Sequence, residues 1–313
     1  MRKLPLIIFF AVVNFWDLNA QMPSSKIFAA VKDDDIKTVR SLLEQGNNAN
    51  SYDEDGDHLL MCAALYSSVD CMQLLLEKGS DPNAKNSLDE TALMWCVHDP
   101  AKMKLLIQHG GDVNAKAKSG NTPLLIASVG QGKLEAIKLL LDKGADVHAV
   151  NNKKENALIR AAQFGDTATI SFLLSQGIPI DAYSRDTTTA LLNAVLNVNR
   201  FVITQLLERG ADPDKVCFFG LTPLVAALIF CDPVSTKIIL KKAKKINEQD
   251  AGGFTPLMWA VYNEYDHVEV IQALLDKGAD VNVTAKDGST ALSHALKKGN
   301  TGTVALLKKA GAN

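Results

Sequence analysis

The sequence predicts an all-α solenoid of about nine stacked helix-turn-helix units joined by short β-hairpin-like loops. Three observations carry this. A phrase Gly-x-Thr-Pro-Leu, then about twenty residues, then Leu-Leu-x-x-Gly-Ala-Asp-x-Asn recurs along the chain, most cleanly from Gly253 to Asn282. Its Leu slot falls at Leu60, Leu93, Leu124, Leu158, Leu191, Leu224, Leu257 and Leu292, a mean step of about 33 residues. Both ends are polar, with Lys32, Asp33, Asp34, Asp35 and Lys37 at one and Lys297, Lys298, Lys308 and Lys309 at the other. Terminal units of a stack need such faces because each has one neighbour only.

Each element follows from local chemistry. In residues 119–152, Gly120 marks a turn, Thr122 caps a first helix, and Pro123 stands where its missing N–H costs nothing. Leu124, Ile126 and Ala127 line that helix. A second helix from about Leu134 carries Ile137, Leu140 and Leu141 at the spacing of an apolar stripe. Gly144 ends it in the left-handed conformation, and Ala145-Asp146-Val147-His148 leads out. Stepping back 33 residues from Leu60 reaches Ile27-Phe28-Ala29-Ala30, a divergent first copy. The copies run approximately 24–53, 54–86, 87–118, 119–152, 153–185, 186–219, 220–252, 253–286 and 287–313.

These residues resemble the ankyrin repeat, and the resemblance covers essentially all of residues 24–313. It implies paired helices with projecting hairpin loops, used as a protein-recognition scaffold. One departure is consistent. The family has His after Thr-Pro-Leu, whereas this chain has Met61, Met94, Leu125, Ile159, Leu192, Val225, Met258 and Ser293. The inter-repeat hydrogen bond of that His is therefore absent, and apolar packing is expected in its place.

Residues 1–20 differ from the rest. Arg2 and Lys3 precede a nearly unbroken apolar run from Leu4 to Trp16, and Leu18-Asn19-Ala20 ends in a small residue. This order predicts a secretory signal peptide, followed by a mature repeat domain at 21–313. The run is about 13 residues, short of the roughly 20 that span a bilayer, so no integral span is expected after signal removal; an uncleaved anchor is the alternative. The expected location is a bacterial periplasm or the medium beyond it. Net charge of −2 and pI near 6.3 give no basic field for nucleic acid.

Chemistry is sparse. No two of His58, His98, His109, His148, His267 and His294 stand at i, i+3 or i+4, so no metal or cofactor is expected. The five cysteines, Cys62, Cys71, Cys96, Cys217 and Cys231, contain no Cys-x-x-Cys, and the simplest reading is buried inert thiols, with a Cys62–Cys71 bridge the other option. Asp53-Glu54-Asp55-Gly56-Asp57 resembles a calcium loop faintly, but Ala64 occupies the twelfth position. No nucleophile elbow or phosphate loop is present, which argues against an enzyme.

The expected function is non-catalytic binding of a protein partner by a monomer, through the concave face and hairpin loops. A structural or assembly spacer and a host-directed secreted effector are the alternatives. Unusual apolar residues mark the candidate contact surface: Phe218, Phe219 and Leu221 in one turn, Phe230 at the end of the next helix, and Phe254 and Tyr262 in the following copy. Trp259 is expected to pack inside.

Overall fold

The computed structural model describes residues 26–217, 220–230, 232–263 and 267–313. The signal-like segment 1–20 lies outside the described residues, as do Phe218, Phe219, Cys231 and residues 264–266. The described residues form eighteen helices in nine pairs. The first helices are α1 (Lys26–Lys32), α3 (Leu59–Tyr66), α5 (Ala92–Trp95), α7 (Pro123–Ala127), α9 (Ala157–Phe164), α11 (Ala190–Leu196), α13 (Pro223–Phe230), α15 (Pro256–Tyr262) and α17 (Ala291–Lys298). The second helices are α2 (Ile36–Glu44), α4 (Val69–Glu77), α6 (Pro100–Gln108), α8 (Leu134–Asp142), α10 (Thr167–Ser175), α12 (Arg200–Glu208), α14 (Pro233–Lys242), α16 (Val268–Asp276) and α18 (Thr301–Lys309). Each odd helix packs on the next odd helix and each even helix on the next even one. The result is a two-layer solenoid whose core lies between the rows.

The recurring phrase explains the local structure. Thr122, Thr189 and Thr255 cap their helices through the side-chain oxygen, and Asn156 does so where Thr is missing. His58 fills the same slot: its Nδ1 accepts from Leu60 N at 3.2 Å, and its Nε2 lies 3.2 Å from Asn50 Oδ1. With Nδ1 accepting, Nε2 carries the proton and donates to Asn50. The Leu slot forms the spine of the core: seven of its eight leucines are 1% exposed or less, and Leu292 is 6% exposed.

The slot that holds His in the family is apolar and buried from Met61 to Met258, as expected. Packing is only part of the replacement. Polar side chains also reach back to carbonyls of the preceding copy: Lys102 Nζ to Ala64 O at 3.0 Å, Arg160 Nε to Leu125 O at 2.7 Å, Asn193 Nδ2 to Ile159 O at 3.0 Å and Asn263 Nδ2 to Leu228 O at 2.7 Å. These bonds join adjacent copies and satisfy first-helix carbonyls.

The hairpin-like loops are closed by one repeated bond, from N–H of residue i to C=O of i+4. It joins 53/57, 86/90, 117/121, 151/155, 184/188, 217/221, 250/254 and 285/289. Only Tyr52↔His58 forms a β-bridge among the described residues. Neighbouring turns are stitched tip to tip by Lys118 N→Leu88 O (2.8 Å), Asn152 N→Ser119 O (3.0 Å), Arg185 N→Lys153 O (2.6 Å) and Lys286 N→Gly252 O (3.0 Å). Gly120 and Gly253 make this approach possible. Both have positive φ, and a Cβ on Gly120 would stand 2.6 Å from Asn152 Oδ1, and one on Gly253 2.8 Å from Lys286 N.

Candidate functional site

The face made by the first helices and hairpin turns is built from one slot per copy, two residues after the Leu: Trp95, Ile126, Arg160, Asn193, Trp259 and His294 are half-buried there, and the small Cys62 and Ala226 are buried. Several reach their own turn. Trp95 Nε1 donates to Glu90 Oε2 at 3.0 Å, Arg160 pairs with Glu155 at 3.2 Å, Trp259 Nε1 donates to Asp250 Oδ2 at 2.9 Å, and His294 Nε2 lies 2.9 Å from Ser289 Oγ. These contacts lock each hairpin onto its helix. Trp259 is therefore not an internal residue: its indole N–H needs a partner, and the hairpin carboxylate supplies one at the surface.

The expected apolar patch divides. Phe254 and Tyr262 meet, with ring centroids 6.0 Å apart and perpendicular, because a helical side chain leans toward the N-terminus. Trp259 joins them at 5.3 Å from Phe254 and 6.0 Å from Tyr262. His294 of the last copy adds a fourth ring, 5.3 Å from Phe254 and 5.5 Å from Tyr262. Burial pushes the His294 imidazole below its ordinary pKa, so it joins the cluster as a neutral ring. Tyr262 is 52% exposed and carries Lys298 Nζ over its face, 5.6 Å from the ring centroid. Leu221 sits half-buried in the slot that Phe254 fills one copy later. Phe230 is exposed at the opposite end of α13, about 12 Å along the helix axis from the turn that holds Leu221.

Phe230 points to a second apolar surface, on the edge where first helices turn into second helices. Phe164, Leu196, Val198, Phe201 and Val234 are all exposed there, Phe201 at 76%. Phe164, Val198, Phe201, Arg200 and Asp232 line an open cavity of about 480 Å³. Arg200 and Asp232 form an ion pair of 2.9 Å at its margin. Val198 has φ of 51°, a strained conformation for a β-branched residue. This surface was missed, although a comparison of copies carries its signal. The second residue of the second helix is Asp70, Ala101, Glu135, Ala168, Phe201, Val234, Glu269 and Gly302, so the two large apolar members stand out.

The four thiols among the described residues are unreactive. Cys62, Cys71, Cys96 and Cys217 are buried and free, with no Cys62–Cys71 bridge. Burial pushes Cys62 and Cys96 up to about 12 and raises the other two, so all four stay protonated. No cluster of three or more potential metal ligands occurs among the described residues. The Asp53 turn instead uses its carboxylate locally, accepting from Asp55 N and Asp57 N. No helix among the described residues is long and apolar enough to cross a membrane.

Comparison with known proteins agrees with this geometry. A family model described as ankyrin repeats (3 copies) matches residues 10–86, 26–117, 79–151, 125–217 and 191–285, and a second, ankyrin repeats (many copies), matches 264–307. An ankyrin repeat protein of fowlpox virus is 28% identical over 143 residues, covering 45% of this chain and 19% of the viral protein. Rat ankyrin repeat and SAM domain-containing protein 6 is 37% identical over 73 residues, 23% of this chain and 8% of the relative. Mouse ankyrin repeat family A protein 2 is 40% identical over 62 residues, 20% of this chain and 19% of the relative. The chain thus spans a fifth or less of the length of these curated relatives. Matched along nearly its whole described length by the two models together, the chain belongs to the ankyrin-repeat family, whose members serve generally as protein–protein interaction scaffolds.

Proposed function

We propose that this chain is an exported, monomeric, non-catalytic recognition scaffold that holds a partner protein against its first-helix and hairpin face. The observation that carries this reading is the four-ring cluster of Phe254, Trp259, Tyr262 and His294. Solvent-accessible aromatic groups locked in place by their own hairpin are the kind of rigid anchor found at binding hot spots. Phe218, Phe219 and Leu221 extend the proposed contact into the preceding copy by sequence position. Export rests on the basic, apolar and small-residue order of residues 1–20.

Affinity capture from the native source, with the wild-type chain beside Phe254→Ser/Tyr262→Ala, tests the contact surface. Loss of the captured partner by a variant of unchanged helical circular dichroism supports the reading; equal recovery contradicts it. Fractionation with N-terminal sequencing tests export: a mature N-terminus near Gln21 is expected, and a Met1 retained in the cytosol overturns it.

A further inference from the structure

Three consecutive turns on the same face carry a row of cations. Lys116 and Lys118 flank the turn opening copy 4, Lys153 and Lys154 that of copy 5, and Arg185 that of copy 6. All five are exposed, and none pairs with a carboxylate among the described residues. Glu155, the nearest acidic side chain in the middle turn, is already engaged by Arg160 and Asn151; Asp186 is the one exposed acid in the row. The row is fixed in space. Its backbones are stitched by Asn152 N→Ser119 O and Arg185 N→Lys153 O, and Asn152 Nδ2 donates to Lys118 O at 2.7 Å. Cations held on a rigid ribbon meet an anion with less ordering cost than cations on a mobile loop.

The surroundings limit the length of that anion. Before the row, Lys85 is offset by Asp89 and Glu90 of its own turn, and the acidic turn Asp53-Glu54-Asp55 precedes it; beyond the row, residues 217–221 carry no charge and the turn opening copy 8 carries Asp250. With adjacent copies about 10 Å apart, the basic row is about 20 Å long, the reach of about six extended residues. A long polyanion such as nucleic acid would run onto the acidic turns and be repelled there. A short acidic stretch of polypeptide matches both the sign and the length.

We propose that the cationic row formed by Lys116, Lys118, Lys153, Lys154 and Arg185 receives a short acidic segment of the partner, whose apolar side chains then reach the Phe254–Tyr262 cluster. This rests on the reading of the hairpin face as the recognition surface. The test uses the full mature chain and a fluorescent eight-residue glutamate peptide, titrated at low and high salt. Binding that weakens with salt is expected, and Lys118→Glu/Lys153→Glu/Lys154→Glu lowers it at least tenfold. The control Lys237→Glu/Lys241→Glu/Lys242→Glu, on a second helix, changes it less than twofold. An equal loss in the control, no peptide binding at all, or tighter binding of an eight-nucleotide single-stranded DNA or of phosphatidylserine vesicles overturns the proposal. Phe254→Ser/Tyr262→Ala separates the two readings. Loss of the native partner in that variant but not in the triple-lysine variant leaves the recognition surface standing and removes the acidic-segment inference.

Discussion

The two ends of the stack and its centre share the first-helix edge and differ along the exit-loop edge. At the ends, the Asn that closes each exit loop bridges to the next copy twice. Asn50, Asn83, Asn114, Asn247 and Asn282 donate from Nδ2 to Gly79 O, Gly110 O, Gly144 O, Gly278 O and Gly311 O. Each also accepts, through Oδ1, from the N–H of Asp81, Asp112, Asp146, Asp280 or Asn313. In the centre the same slot holds His148, Asp181 and Asp214. A carboxylate cannot donate, so Asp181 only accepts from Asp212 N at 3.2 Å and Asp214 from Lys244 N at 2.6 Å. Opposite His148 stands Pro179, which has no N–H to give. The central junctions keep only the bonds of the first helices and the turn edge, from Arg160, Asn193, Asn199 Nδ2→Gly165 O and Gly132 N→Asp166 Oδ2, of the kind that Lys102 and Asn263 add to the asparagine rungs nearer the ends. Identical architecture thus hides a loss of two-way exit-loop coupling at the centre, which also carries the cationic row and the Phe201 cavity.

The largest expected effect comes from the hairpin seam. Gly120→Ala places a Cβ against Asn152 at a backbone φ of +77° and costs about 3 kcal/mol, from the left-handed penalty plus the clash. The seam there crosses a junction without an asparagine rung. Gly120→Ala is therefore expected to split urea unfolding into two steps, while Gly253→Ala, at a junction that keeps Asn282, leaves it single. Coincident fluorescence and circular dichroism transitions in both variants break the comparison.

Acid acts on the N-terminal end. Burial, with Asp81 opposing it weakly, lowers the His58 imidazole from 6.5 to about 4. Below about pH 6.5 the unfolded chain takes up a proton at this position that the folded chain refuses until about pH 4. Stability therefore falls as pH drops through that window, by about 2 kcal/mol after allowance for solvent screening, and this component is flat below it. Protonation would also remove the Nδ1 acceptor that caps α3. His58→Thr keeps a cap and removes this component; an unchanged pH profile of urea midpoints in that variant contradicts the assignment.

Much of this was legible in the sequence, and the part that was not has a common cause. Thr122, Pro123 and Gly144 announce a helix pair because capping and chain reversal are local. Phe254 announces a surface aromatic because its slot is polar in every other aligned copy except that of Leu221. Lys102, Arg160 and Asn193 do not announce their bridges, since each spans 34 to 38 residues and depends on the stack being built. Trp259 reads as core by size alone, and only the position of Asp250 turns it outward. Phe201 and Val234 required reading second helices against one another rather than first helices.

A smaller effect sharpens the comparison from the other side. Asp181→Asn restores the donor that the centre lacks, with Gly210 O in the register that pairs Asn114 with Gly144 O, and is expected to raise stability by about 0.5–1 kcal/mol, the net worth of one added hydrogen bond. A loss of stability in urea denaturation would show that the central exit loops are not spaced for a rung.

The most direct test sets two adjacent rungs against each other in the same slot. Urea midpoints are compared for Asn114→Ala, which removes bonds of 2.9 and 2.8 Å to Gly144 O and from Asp146 N, and for His148→Ala, which is exposed and bridges to nothing in the next exit loop. The account predicts a loss of about 2 kcal/mol for Asn114→Ala and less than about 0.5 kcal/mol for His148→Ala. Equal losses, or the larger loss at His148, would contradict it.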